Sequence, residues 1–303
     1  MNNPTIGIAL GGGGARGAAH IGVFQALHTG GLVPDLIAGT SAGAVIGGMY
    51  AATRDPFWIE MRFRELLEDD VFKHLGLDRM LADRNPNSVF GQVAKYIQNQ
   101  MVIVTAMNKV AILKKEKLEA VIRFLLPVET FEELDIPLIV IATDFNCGEP
   151  ITYTEGDLIS AIVQSSSIPG FVSPTTIDSQ LLLDGGTSTP IPVIACKERV
   201  NFTVAIDISR GKPRPLKKIN MLEIMTRSER ITSQKLCDTL TKEADFVIRP
   251  EVKGLHWSQF ERFDELVTAG KVKGESNLDE LFAAIAERKS WKYKIKKWMG
   301  NLV

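Results

Sequence analysis

Ser41 lies in the stretch Gly39-Thr40-Ser41-Ala42-Gly43, after the apolar run Leu36-Ile37-Ala38 and before the small residues Ala44 to Ala52. An apolar strand, a G-x-S-x-G turn and a helix form a nucleophile-elbow pattern. A serine at such a sharp turn occupies strained backbone, so its neighbours two residues away must lack bulk. The turn lifts the hydroxyl above the sheet edge, and the following helix aims its N-terminus at any oxyanion formed there. The alternative is a glycine-rich turn that happens to contain a serine.

Two other segments offer the groups such a nucleophile needs. Thr5 to Leu10 reads as a buried strand, and it runs into Gly11-Gly12-Gly13-Gly14-Ala15-Arg16-Gly17. Consecutive glycines let backbone N–H groups converge on an anion. Ala18 to Leu27 then has helical spacing in Ile21, Phe24 and Leu27, so the loop is an anion cradle at a helix N-terminus. Gly12 to Gly17 also spells G-x-G-x-x-G, but a dinucleotide site needs an acid ending the second strand, and Asp35 precedes that strand. The oxyanion reading gains from order, because loop and elbow follow successive strands, which are usually neighbours. Further on, Leu181-Leu182-Leu183 leads into Asp184-Gly185-Gly186. A carboxylate at the C-terminal end of a strand stands on the edge where α/β sites form; the bland reading is an exposed Asp-Gly turn.

The elements that must position these groups are of two kinds. Further core strands are expected at Pro137–Asp144, Phe202–Asp207 and Asp245–Pro250, with a helix over Asp157–Val163 and a long one over Ile219–Leu240. Residues 54–135 read as a mostly helical insertion, with helices at Phe57–Leu67, Val89–Met101 and Lys114–Leu126 and apolar faces that serve as core or as a lid over an apolar substrate. Ser258–Val267 and Asn277–Ala286 are also helical by pattern. No linker divides the 303 residues, so one α/β domain with a mostly parallel sheet is expected.

Composition narrows the function. Thirty-five Lys and Arg against 36 Asp and Glu give a net charge of −1, which argues against a protein built to hold nucleic acid. Cys147, Cys196 and Cys237 are too widely spaced for a disulfide framework or a zinc site, and read as buried, inert thiols of a reducing compartment. The N-terminus has no basic region before its short apolar run, so no secretory signal is read there and a cytoplasmic location is expected. Neither a calcium-loop spacing nor a P-loop lysine is present, and no metal or cofactor is expected. From Arg288 to Trp298, lysines alternate with Trp291, Tyr293, Ile295 and Trp298, which suits peripheral contact with an anionic membrane, such as the inner membrane face, or a solvated tail.

The glycine loop with its embedded Arg16, the Ser41 elbow and Asp184-Gly185-Gly186, in that order, resemble the patatin-like phospholipase family, bacterial branch. The family pattern is G-G-G-x-[RK]-G, G-x-S-x-G and D-G-[GA]. The segments Ile141–Gly148 and Ser165–Phe171 resemble it too, and the likeness covers roughly residues 5–210. It implies a three-layer α/β sandwich and an acyl hydrolase with a Ser-Asp dyad and no histidine. Ser41 would be the nucleophile and Asp184 the base, with the amides of Gly11, Gly12, Gly13 and Gly14 as oxyanion donors. Arg16, Gly17, Gly39, Gly43, Gly185 and Gly186 would support the motifs. The implied substrates are phospholipids, lysophospholipids or other acyl esters. Two alternatives stand beside it. One is an α/β-hydrolase triad of Ser41, Asp184 and His256; the other is a catalytically idle lipid-surface scaffold, against which the intact motifs count.

Overall fold

A computed structural model describes residues 4–69, 111–209, 211, 215, 219–252 and 254–289. In chain order the elements are β1 (Ile6–Leu10), α1 (Ala18–Thr29), β2 (Leu36–Thr40), α2 (Ala42–Thr53), α3 (Pro56–Glu68), α4 (Lys115–Leu125), β3 (Leu138–Asp144), β4 (Pro150–Tyr153), α5 (Leu158–Ser165), β5 (Thr175–Ile177), β6 (Gln180–Asp184), α6 (Val193–Lys197), β7 (Phe202–Ile206), α7 (Met221–Leu240), β8 (Phe246–Ile248) and α8 (Phe263–Lys289). The expected helix over Val89–Met101 and the basic, aromatic residues beyond 289 lie outside the described residues.

The sheet runs β5-β6-β3-β2-β1-β7-β8, with β4 beside β3. The four pairings from β3 through β2, β1 and β7 to β8 are parallel, whereas β4 and β6 pair with β3 antiparallel. Its central strands β1, β2, β3 and β7 are mostly apolar because both of their faces are covered, whereas β4 and β5 at the margin are largely exposed. Alternate residues divide between two cores: Ile8, Leu10, Ile37, Val140 and Val204 face one, packed under α1, α2 and α8. Ala9, Ala38, Ile141 and Ala205 face a thinner one, closed by α6 and Cys237 of α7. Three layers result, as the family resemblance implied.

β3 is the branching point. Ile141 pairs with Thr40 of β2 and with Thr152 of β4; the next residue, Ala142, pairs with Asp184 of β6 and with Ile151 of β4. Along one edge, β2 therefore ends where β6 ends, coming from opposite directions. The ends of those two strands carry Ser41 and Asp184.

Two expectations change. The helices read separately at Ser258–Val267 and Asn277–Ala286 belong to one helix from Phe263 to Lys289, preceded by a 3-10 turn at Phe260–Arg262. The glycines between them do not break it. Gly270 and Gly22 are where α8 and α1 touch, and a Cβ on either would strike the other helix's backbone. Close approach, not flexibility, accounts for these glycines. Cys147 is exposed in the turn that follows β3, whereas Cys196 and Cys237 are buried and their thiols are pushed up to about 12, chiefly by burial.

Candidate active site

The elbow is built on steric exclusion. Ser41 has φ 55° and ψ −124°, a left-handed region that side chains rarely occupy. A Cβ on Gly39 would lie 2.5 Å from the Gly43 carbonyl oxygen, and one on Gly43 would collide with the Leu10 carbonyl. The turn closes only with both glycines in place. Backbone strain of this kind costs roughly 1–3 kcal/mol and persists only where the surroundings impose it. Here Ser165 Oγ accepts from the Ser41 amide at 2.9 Å and donates to the Ile141 carbonyl at 2.5 Å, tying the elbow to β3.

Ser41 Oγ donates to Asp184 Oδ2 at 2.6 Å, and both side chains are buried. Asp184 Oδ1 accepts from the Gly186 amide at 2.7 Å, and its carbonyl accepts from Thr143 Oγ1 at 3.1 Å. Burial pushes the Asp184 carboxyl up from 3.8 to about 6, against the two hydrogen bonds that favour the carboxylate. No histidine intervenes. His256 Nδ1 pairs with Ser258 Oγ at 2.8 Å, and its ring forms no hydrogen bond with Ser41 or Asp184.

The glycine loop lies against the elbow, with Gly12 facing Ser41 so closely that a Cβ there would be 3.3 Å from the serine Cβ. The Gly11 amide donates to the Ile206 carbonyl at 3.2 Å and the Gly12 amide to the Pro190 carbonyl at 2.9 Å. Among the described residues, the amides of Gly13 and Gly14 have no backbone acceptor. Arg16 Nε donates to the Gly13 carbonyl at 3.2 Å, and the Ala15 amide donates to the Trp257 carbonyl at 2.7 Å.

Three residues near the site had no assigned role in the sequence reading. Ser165 is the bracket just described. His20 Nε2 donates to the Gly11 carbonyl at 2.8 Å; a carbonyl only accepts, so the proton sits on Nε2. Burial pushes this histidine down from 6.5 to about 4, and it stays neutral at neutral pH. Its signal was a polar side chain in the first turn of a mostly apolar helix. Ser166 Oγ is buried and, among the described residues, has no hydrogen-bond partner.

From Ser41 an apolar cavity of about 140 Å³ runs beneath α2, α3 and α4. Val45, Leu66, Ile122, Leu125, Phe171 and Phe263 are among its walls, and Ser166 lines it as well. The insertion's apolar faces are thus core and cavity wall at once: Leu66, Ile122 and Leu125 are buried in the main core and also face the cavity. Among the described residues, no helix is long and apolar enough to cross a membrane.

A family model described as patatin-like phospholipase matches residues 8–197. The chain is 31% identical over 218 residues to an NTE family protein of Mycobacterium tuberculosis, covering 71% of this chain and 52% of that one. It is 29% identical over 311 residues to a patatin-like phospholipase domain-containing protein of Caenorhabditis elegans, covering 93% of this chain and 21% of the relative. The chain therefore spans between about a fifth and a half of the length of these relatives. Among solved structures, VipD from Legionella pneumophila aligns with a TM-score of 0.48 at 17% identity, over 92% of this chain and 67% of that one.

Proposed function

The chain belongs to the patatin-like phospholipase family, and on that premise we propose that it hydrolyses the carboxylic ester bonds of lipids, with Ser41 as nucleophile and Asp184 as general base. The observation that carries the reading is the direct 2.6 Å hydrogen bond between the two side chains at the head of an apolar cavity.

The steps follow from the geometry. As Ser41 Oγ attacks the ester carbonyl carbon, its proton passes to Asp184 Oδ2, with which it is already hydrogen-bonded. A carboxyl near 6 is ionised at neutral pH yet basic enough to hold the proton transiently. The tetrahedral oxyanion faces the amides of Gly13 and Gly14, since those of Gly11 and Gly12 are engaged elsewhere; each such donor lowers the barrier by about 3–4 kcal/mol. Collapse expels the alcohol, which takes the proton from Asp184. Water, deprotonated by the same carboxylate, then attacks the acyl-enzyme; collapse breaks the acyl–Oγ bond, Asp184 returns the proton to Ser41 Oγ, and the fatty acid leaves. Arg16 and His20 hold the loop through the Gly13 and Gly11 carbonyls. The acyl chain occupies the apolar cavity, where each buried methylene contributes about 0.8 kcal/mol.

Reaction with an alkyl fluorophosphonate tests the assignment. Intact-mass and peptide analysis should find one phosphonyl adduct, on Ser41, absent from Ser41→Ala; an adduct on another serine would contradict the reading.

The partners proposed are phospholipid, lysophospholipid or related acyl esters, reached from the cytoplasmic side as a single domain. The alternation of lysines with Trp291, Tyr293 and Trp298 supports contact with an anionic membrane through the C-terminal tail. Sedimentation with anionic but not neutral vesicles is the expected result; equal binding to both would contradict an electrostatic contact.

A further inference from the structure

A second cavity, polar and about 210 Å³, opens on the other side of the glycine loop. Gly12, Arg16, Ser209, Arg230, Ser233 and His256 are among its walls, and Glu229 is the carboxylate there. Two guanidiniums, an imidazole and three hydroxyls, Thr226 included, thus line one cavity with a single carboxylate. Arg230 is half-buried and, among the described residues, has no hydrogen-bond or ion-pair partner. Other half-buried arginines are held: Arg62 by Glu65 at 2.8 Å and Arg288 by Asp245 at 3.1 Å, for example. A guanidinium left open toward a polar cavity is a ready partner for an oxyanion, which it contacts in bidentate fashion.

The two cavities adjoin at Trp257 and the glycine loop, beside Ser41. Trp257 lines both, and Gly12, which lines the polar one, packs against Ser41. An ester carbonyl at Ser41 with its acyl chain in the apolar cavity leaves its alcohol portion on the polar side. A glycerophospholipid carries a phosphate there, a few bonds from the ester.

We propose that the polar cavity is a phosphate subsite, with Arg230 of α7 as its principal ligand, Arg16 and the hydroxyls of Ser209 and Ser233 completing it. Arg230 lies beyond residues 8–197, the part that the family model matches. The subsite rests on the acyl-hydrolase reading for its use in substrate selection, but not for its ability to bind an anion. The shared chemistry is a phosphate group, borne by a lipid headgroup or free in solution.

Two measurements on the full chain separate these sources. The first compares kcat/KM for lysophosphatidylglycerol and for neutral monopalmitoylglycerol in wild type, Arg230→Gln and Arg227→Gln. Arg227 lies on the same helix, carries the same charge and does not line the cavity. The ratio of phospholipid to neutral ester should fall tenfold or more in Arg230→Gln, through KM, and hold in Arg227→Gln. An equal fall in both variants would overturn the local site in favour of a general effect of charge. The second is calorimetric titration with inorganic phosphate, which needs no turnover. Wild type should bind and Arg230→Gln bind at least tenfold more weakly. Phosphate binding with an unchanged substrate ratio assigns the subsite to free phosphate. A wild type that neither binds phosphate nor loses its ratio on substitution overturns the proposal. If wild type cleaves neither ester, the hydrolase reading fails while the titration still decides the anion site.

Discussion

Ser41 and Asp184 stand 2.6 Å apart, 143 residues distant in sequence, because Ile141 and Ala142, adjacent residues of β3, pair with Thr40 and Asp184. One strand edge receives β2 from one direction and β6 from the other, so Ser41 and Asp184 emerge where the two strands meet. The site's precision is thus a property of sheet register, which resists slippage because a one-residue shift would turn every side chain to the opposite face.

The pH dependence follows from the raised carboxyl. Asp184 must be ionised to accept the serine proton, so kcat/KM for a non-ionising ester should rise with pH and level off above an apparent pKa near 6. A pH–rate profile from 4.5 to 8.5 reads this directly. A profile already flat above pH 5 would place the base in ordinary, hydrated surroundings.

The same burial costs stability. A carboxyl raised from 3.8 to about 6 binds its proton more tightly folded than unfolded, so its contribution to stability falls as pH rises through that window. The cost above pH 6 is on the order of 3 kcal/mol. Asp184→Asn should therefore melt a few degrees higher than wild type at pH 8, with the gain vanishing near pH 4.

His20 acts with the opposite sign. Its lowered value means that the unfolded chain takes up the proton first as pH drops below 6.5, so stability is lost between 6.5 and about 4. In wild type the Asp184 term offsets this slope; in Asp184→Asn it does not. Thermal melts across that range should show the steeper acid loss in Asp184→Asn, and parallel curves would refute the pairing of signs.

The loop's position depends on Gly14, at φ +56°, where a Cβ would lie 2.5 Å from the Trp257 carbonyl oxygen. Gly14→Ala should displace the amides proposed to hold the oxyanion and lower kcat by about 100- to 1000-fold with far-UV circular dichroism unchanged. Loss confined to KM would point to a role in binding instead.

Acyl length should be set by the apolar cavity. Leu118 is a partly buried wall residue, so Leu118→Trp narrows the space without opening the main core. Removing room for two or three methylenes is worth about 2 kcal/mol, and the preference for C16 over C8 esters should drop roughly 30-fold. An unchanged chain-length profile would place the acyl group elsewhere.

Much of the site was legible in the sequence because its motifs are local. Gly39 and Gly43 are dictated by backbone collisions within the turn or with β1, and the apolar run before Asp184 marks a strand end. What was not legible is long-range. Nothing near Gly11 or Gly12 announces that Ile206 and Pro190 take their amides. The branching of β3 depends on which residues β6 pairs with, and α8 was divided because the reason for Gly270 lies on α1. His256 stood in the right order for a triad, but order says nothing about which cavity a side chain enters.

The most direct test of the dyad is hydrolysis of a p-nitrophenyl ester and a lysophospholipid by wild type, Ser41→Ala and Asp184→Asn, with and without EDTA. Turnover in wild type, insensitive to EDTA and lost in both folded variants, is the predicted result. Turnover that survives Ser41→Ala would contradict the account, since the nucleophile would then lie elsewhere.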